Sequence, residues 1–485
     1  MTDDQRQDGS RAGELLAGPA VHVGVLATLA LVLCLARVAV EPLDGDPAMY
    51  ATIAKTIAQT GEWTHLTFNG EPYLAKPPLH FWVNALVFRV LPATAFSATL
   101  VPGLFGVADT LLVYGLCRFM FPGWQTGFAA GLVYVTTPEV VHWSRGVHLE
   151  TLVTLWVLLG LLYAYRSVTQ PSAVLLLGVT AAGGWLAKGP QGLFPAAVAG
   201  LLWAREGVLW RRVVSLWTLA AVGVVLALTG PWLWARLIEG SGFGGAYFGG
   251  QIGRTLFQGG VLRRGSLWYV TKLLRTYWPW LPVAVVGLAL LARRWQQTLG
   301  ARLWLVYAAV VMGVISLAVG KKSRYLFQLY PALAVAAGVA IAAAAERRPR
   351  LLPMLLVPAA MVAVVVAVAG GGRASPARAA RVRDAVQVAA RLDPTARVWL
   401  RRPTRHGERG LEKTLGFYAP PLLRTCRARW LKEALPGDLV IAPTDDAERI
   451  ARHRGGEIEV RTPTLAVVRL RPRSAMPRDG RRSAE

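Results

Sequence analysis

Leu303-Trp304-Leu305-Val306-Tyr307-Ala308-Ala309-Val310-Val311-Met312-Gly313-Val314-Ile315-Ser316-Leu317-Ala318-Val319-Gly320 contains no charged residue. It runs straight into Lys321-Lys322-Ser323-Arg324-Tyr325, and a second apolar stretch, Leu326–Ala345, follows at once. An uncharged run of this length reads as a helix crossing a bilayer. Leu351–Gly370 has the same character, and Val21–Val40, Ser97–Arg118, Gly127–Trp143, Leu149–Tyr165, Val174–Ala187, Leu193–Ala204, Val213–Trp234 and Thr271–Leu291 extend the series toward the N-terminus. The chain of 485 residues is 54% hydrophobic and 17% charged, against about 25% charged in an ordinary soluble protein, and its mean hydropathy is +0.40. The expected fold class is an all-α polytopic membrane protein with roughly 11–13 transmembrane helices. Pro77–Leu91 contains His80 and Asn84 and reads as a helix lying at the interface.

Basic clusters at Arg205/Arg211/Arg212, Arg293/Arg294/Arg302 and Arg347/Arg348/Arg350 alternate with these segments and are expected on the cytoplasmic side. That orientation places the loop around Asp46, Glu150, Lys188, the stretch 237–270 and Lys321–Arg324 together on the periplasmic side. The expected organisation is a cytoplasmic tail (1–20), a membrane domain (21–372) with a first periplasmic loop (41–78) and a long one (237–270), a small periplasmic α/β domain (373–473), and a disordered tail (474–485). Within the α/β part, Ala396–Leu400, Asp438–Ala442 and Leu465–Leu470 read as strands, and Leu411–Tyr418 and Ala447–His453 as helices. Net charge is +25, and from Arg373 onward 25 Lys and Arg face 13 Asp and Glu. No aromatic-interleaved motif points to nucleic acid, so a basic segment joined to a membrane domain reads as attracted to an anionic bilayer surface. The three cysteines imply neither a disulfide framework nor a metal site, and His65, His80, His142 and His148 have no ligand spacing.

The unusual polar residues gather at segment ends on that one side. The first loop reads Pro42-Leu43-Asp44-Gly45-Asp46-Pro47-Ala48-Met49-Tyr50, and thirty residues beyond Asp46 comes Lys76-Pro77-Pro78. Carboxylates beside hydrocarbon are costly unless used or paired. Cations on the side opposite the usual bias (Lys76, Lys188, Arg254, Arg263, Arg264, Lys321, Lys322 and Arg324) are explained by an anionic headgroup such as a phosphate. Tyr50, Trp63, Tyr73, Trp82, Tyr269, Tyr277, Tyr325 and Tyr330 are aromatic partners for a lipid chain or sugar ring. The glycine-rich stretch Gly240–Gly250 reads as a mobile loop over the site.

The order of these pieces resembles a known family. Asp46-Pro47-Ala48-Met49-Tyr50-Ala51, Gly61-Glu62-Trp63, Asn69-Gly70-Glu71-Pro72-Tyr73, Lys76-Pro77-Pro78-Leu79, Glu150, Leu186-Ala187-Lys188-Gly189-Pro190, Lys322-Ser323-Arg324-Tyr325 and Leu411–Tyr418 resemble segments of the ArnT-like and protein O-mannosyltransferase-like membrane glycosyltransferases. The resemblance implies a GT-C fold and a polyprenyl-phosphate-sugar donor. It matches Asp46 to the essential acid of the first loop, Glu150 to a second acid that is usually Asp, and Lys76 to a lysine near the donor phosphate. Tyr50, Lys188 and Tyr325 match cavity-lining positions. Ala75 stands where ArnT-like members often carry Glu, which implies no metal; no cofactor is expected. The implied reaction moves a sugar to an acceptor (lipid A, a protein or an envelope glycan) at the periplasmic face of a bacterial inner membrane, by a monomer. A transporter or flippase of lipid-linked sugars is the alternative, and it would carry mid-helix charges and related halves.

Overall fold

The computed structural model describes residues 18–35, 42–238, 242–258, 265, 267–348, 354, 357–358, 360–361, 363–365, 376–393, 397–401, 411–418, 423–426, 435–454 and 456–471. The expected disordered tail 474–485, most of the N-terminal tail and Arg263 and Arg264 lie outside the described residues. The chain divides into two compact units, one drawn from Met1–Val40, Leu74–Val83 and Phe96–Gly370, the other from Glu41–Tyr73, Asn84–Ala95 and Gly371–Glu485.

In chain order the helices begin with α1 (Pro19–Leu35), α2 (Asp46–Thr60), α3 (Leu79–Val90), α4 (Ala95–Met120), α5 (Trp124–Thr136), α6 (Pro138–Ser144), α7 (Glu150–Ser167), α8 (Ala173–Lys188), α9 (Phe194–Arg205), α10 (Leu209–Val213) and α11 (Leu216–Ile238). They continue with α12 (Trp268–Thr276), α13 (Trp280–Arg293), α14 (Leu299–Leu317) and α15 (Tyr330–Arg347). The first unit is therefore a helical bundle. Among the described residues four helices are long and apolar enough to cross a membrane, α4, α11, α14 and the Ser323–Arg347 rod that ends in α15, and the bent pair α12 and α13 makes a fifth if it is one span. The chain is a mostly helical membrane protein with several apolar spans.

Two expectations are revised here. Thr271–Leu291 is not one straight segment, because α12 and α13 meet at 120°. The break falls at Tyr277-Trp278-Pro279, where a proline lacks its amide donor and disfavours helix in the residue before it. The glycine-rich stretch is not an irregular loop either, since Gly245–Gln258 winds into a π-helix. The expected segments Val174–Ala187 and Leu193–Ala204 agree with α8 and α9 to within a residue at each end. Lys188-Gly189-Pro190 ends α8, and a 3₁₀ turn, Pro190–Leu193, leads into α9.

The core of the bundle centres on α15, whose residues from Tyr330 to Ala342 are all buried. Its small side chains allow close approach. A Cβ on Gly287 of α13 would sit 1.7 Å from the Ala336 carbonyl oxygen, and one on Gly338 would sit 2.6 Å from that of Thr126 in α5. Tyr277 and Tyr330, expected to line a site, instead stack on each other in this core, centroids 5.5 Å apart.

The second unit contains α2, the short hairpin β1 (Thr67–Phe68) and β2 (Glu71–Pro72), and a mixed sheet with its helices. The remaining elements are α16 (Pro376–Ala390), β3 (Val398–Arg401), α17 (Leu411–Tyr418), β4 (Leu423–Cys426), β5 (Leu439–Pro443), α18 (Thr444–Arg454), β6 (Gly456–Arg461) and β7 (Leu465–Leu470). Strand order is β4-β3-β5-β7-β6. β3 runs parallel to β4 and β5, and β7 runs antiparallel to β5 and β6. Side chains alternate between faces along each strand, so the sheet has two cores. Val398, Leu400, Leu439, Ile441 and Val467 pack with Ala385, Val388 and Leu415 of α16 and α17. Trp399, Val440, Ala442, Ala466 and Val468 pack with Ala447 and Ile450 of α18. The expected helix Leu411–Tyr418 and strand Leu465–Leu470 coincide with α17 and β7.

Candidate active site

α8 delivers Lys188 at its last residue. Gly189 then turns the chain with φ +90°, a left-handed conformation that glycine adopts without steric cost. A side chain there would also strike the Tyr247 hydroxyl, 2.3 Å from the ideal Cβ position. Tyr247 belongs to an apolar wall with Phe243, Trp232 and Leu186, flanked by Trp82 and Trp185; the rings of Phe243 and Tyr247 stack 5.2 Å apart. Of this wall, the sequence pointed only to Trp82.

The Lys188 ammonium donates to Glu150 Oε1 at 2.8 Å, and both side chains are almost wholly buried, 5% and 2% exposed. Each sits at the favourable end of its helix, the carboxylate at the first residue of α7 and the ammonium at the last of α8. Glu150 thus reaches the cluster despite its extra methylene.

Lys76 lies in the segment ahead of α3, part-exposed but enclosed by protein atoms. Burial lowers its ammonium to about 7, helped by the positive charges of Arg324, Lys188 and Lys322 and opposed by Glu150. Three cations therefore act on Lys76 against one carboxylate. Such a cluster is relieved by a multivalent anion, which adds charge-assisted hydrogen bonds and cancels the repulsion.

Lys322 is fixed through its backbone. Its amide donates to the Tyr269 hydroxyl at 3.2 Å, and that hydroxyl lies 3.3 Å from the Lys322 carbonyl oxygen to which it donates. Arg324 and Tyr325 follow on a 3₁₀ helix, Ser323–Leu329. Lys321, expected with the same cluster, is engaged with the preceding helix. Its ammonium donates to the carbonyl oxygens of Ser316 at 2.6 Å and Ala318 at 2.7 Å, closing the C-terminal end of α14. Arg263 and Arg264 lie outside the described residues, as does the side chain of Arg254.

Asp46 opens α2 in the second unit, behind Gly45 at φ +62° and ahead of Pro47. Its Oδ1 is ion-paired with Lys413 of α17. The neighbouring Asp44 Oδ1 accepts from the Thr414 hydroxyl at 2.6 Å. The Leu43 amide donates to the Tyr418 hydroxyl at 2.8 Å, and Lys55 donates to the Phe417 carbonyl at 3.0 Å. Tyr50, one turn beyond Asp46, is 3% exposed. Lys413 is a functional candidate that sequence reading missed, and Thr414 docks the loop beside it; both sit within the Leu411–Tyr418 string but 367 and 370 residues from their partners. Among the described residues no three His, Cys, Asp or Glu side chains come together to hold a metal ion.

Residues 75–234, which include Lys76, Glu150 and Lys188, match the family model of dolichyl-phosphate-mannose-protein mannosyltransferase. ArnT from Cupriavidus metallidurans, in its crystal structure bound to undecaprenyl phosphate, superposes with a TM-score of 0.76 over 95% of this chain and 100% of that one, at 16% identity. The chain has the ArnT-like fold. This ArnT-like chain is also 24% identical over 310 residues to the undecaprenyl phosphate-alpha-4-amino-4-deoxy-L-arabinose arabinosyl transferase of Edwardsiella ictaluri, covering 61% of this chain and 56% of that protein. It therefore spans just over half the length of the curated relatives it matches. The fold of the ArnT-like chain extends to the oligosaccharyltransferase of Archaeoglobus fulgidus, with a TM-score of 0.54 and 12% identity over 89% of this chain and 70% of that one.

Proposed function

We propose that this protein is a membrane glycosyltransferase that moves a sugar from a polyprenyl-phosphate carrier to an acceptor at the periplasmic face of the inner membrane. The observation that carries the reading is the charge pattern around Lys76, where Arg324, Lys188 and Lys322 oppose its positive charge and Glu150 favours it. That pattern suits a phosphate on a lipid. The undecaprenyl phosphate in the Cupriavidus metallidurans structure and the donor in the Edwardsiella ictaluri enzyme's name support the same ligand class.

In the proposed reaction an acceptor hydroxyl oxygen attacks the anomeric carbon from the side opposite the phosphate. The carbon–oxygen bond to phosphate breaks and its electron pair stays on the phosphate oxygen. Lys76, Lys188, Lys322 and Arg324 stabilise the charge that develops there. Asp46 takes the hydroxyl proton as general base, and the anomeric centre inverts. With a phosphate acceptor no proton needs removing, and Asp46 positions the acceptor instead. Glu150 keeps Lys188 extended and charged.

The test measures release of undecaprenyl phosphate from undecaprenyl phosphate-linked 4-amino-4-deoxy-arabinose, using membranes of a strain lacking this protein as the acceptor source. Asp46→Asn should fold and insert normally but lose roughly 10²- to 10⁴-fold in turnover. Near-normal turnover by that variant would remove Asp46 from the chemistry.

A further inference from the structure

We propose that Lys413, on the C-terminal part of the chain, is a positioning residue for the Asp46 carboxylate. The proposal rests on the reading of Asp46 as the acceptor-side acid. The structural ground is the way α17 meets the first loop inside the second unit. Lys413 and Phe417 are four residues apart on α17, as are Thr414 and Tyr418, so the two pairs form adjacent ridges of one face. That face makes four polar contacts with residues 43–55: Tyr418 with the Leu43 amide, Thr414 with Asp44, Lys413 with Asp46, and the Phe417 carbonyl with Lys55.

Three of these contacts are accounted for by docking the loop. Thr414 and Phe417 are buried, and Lys55 also lies 5.7 Å above the Phe417 ring. Gly416 is packed against Asn69, whose Oδ1 lies 2.8 Å from where a Cβ would be. The Lys413–Asp46 pair differs, because its side chains are 31% and 37% exposed. An ion pair this open to solvent contributes about 1 kcal/mol or less to stability, so docking does not require it. It does fix one carboxylate oxygen of the first residue of α2. A general base needs that, since a displacement of about 1 Å at a reacting group costs up to about 10²-fold in rate. On this account the soluble part of the chain contributes directly to turnover.

The experiment uses the full-length protein in nanodiscs with the undecaprenyl phosphate-release assay above. Lys413→Met should lower kcat by about tenfold to a hundredfold while the donor KM stays within about twofold and the melting temperature barely moves. Lys413→Arg should recover most of the loss, because the guanidinium keeps the charge and reaches as far. Should Lys413→Met prove unstable, Lys413→Gln removes the charge with less change in polarity and carries the same expectation. Thr414→Val and Lys55→Met break docking contacts of the same face without touching Asp46, and should lower the melting temperature with turnover retained. Wild-type turnover in Lys413→Met overturns the proposal, and so does an equal turnover loss in Thr414→Val and Lys55→Met, which marks a merely structural role. Full activity in Asp46→Asn overturns the reading of Asp46 together with this one; an inactive Asp46→Asn beside a normal Lys413→Met overturns this one alone.

Discussion

Lys76 gives the most searching test of the phosphate site, because its charge changes within the working pH range. Burial and the neighbouring cations push its ammonium down to about 7. If only the protonated form binds the donor phosphate, the apparent donor KM scales with one plus the ratio of neutral to charged Lys76. That factor is about 1.1 at about pH 6 and about 11 at about pH 8, so donor KM should rise roughly tenfold across the interval. The sign follows from the direction of the shift: lowering pH charges Lys76 and tightens binding, and raising pH through about 7 releases the proton and weakens it. The donor is a phosphodiester, so its own charge does not vary over this range. Bound phosphate favours the charged form, so donor binding near pH 8 should take up close to one proton, measurable by calorimetry in buffers of different ionisation enthalpy. Lys76→Arg stays charged throughout and should flatten the profile. A donor KM that is constant with pH in the wild type, or an identical rise in Lys76→Arg, would refute the placement of Lys76 at the phosphate.

Glu150→Gln should destabilise the protein by about 3–5 kcal/mol in a thermal melt, because it strands the buried Lys188 ammonium, and Glu150→Gln with Lys188→Gln should recover part of that loss; equal melting temperatures for all three proteins would contradict the buried pair. Lys321→Met and Lys322→Met separate two neighbouring cations. The first removes two charge-assisted bonds to the end of α14 and should lower the melting temperature with donor KM unchanged. The second should raise donor KM, and a reversal of the two phenotypes would disprove the assignment.

Uncharged runs made the membrane class readable, and alternating strands made the α/β part readable. Lys188-Gly189-Pro190 announced its helix end, since each residue type has its own reason to sit there. Trp278-Pro279 carried the signal for the break between α12 and α13, but an apolar window averages across such a residue. Lys321 and Lys322 are identical by type; only the fold aims one at carbonyls of the preceding helix and gives the other its part in the field at Lys76. The Asp46 partner was hidden for another reason. Sequence proximity favoured Lys76, whereas the ion pair is made with a residue in α17. β4 and β6 were missed because neither has the continuous apolar run of β5 or β7: Leu423-Arg424-Thr425-Cys426 and Gly456-Glu457-Ile458-Glu459-Val460-Arg461 are edge strands, and in β6 Glu457, Glu459 and Arg461 are exposed.

The glycine contacts along α15 limit where the bundle wall can yield. With Gly287 against Ala336 and Gly338 against Thr126 at backbone distance, α13, α15 and α5 have no side chain to repack at these two crossings, so that flank behaves as a keel. α11 is the opposite case, with only Ala221, Thr229, Trp232 and Arg236 buried along its length. A lateral gate wide enough for a greasy tail would therefore be hinged on α11, and cross-linking the keel should leave its opening untouched.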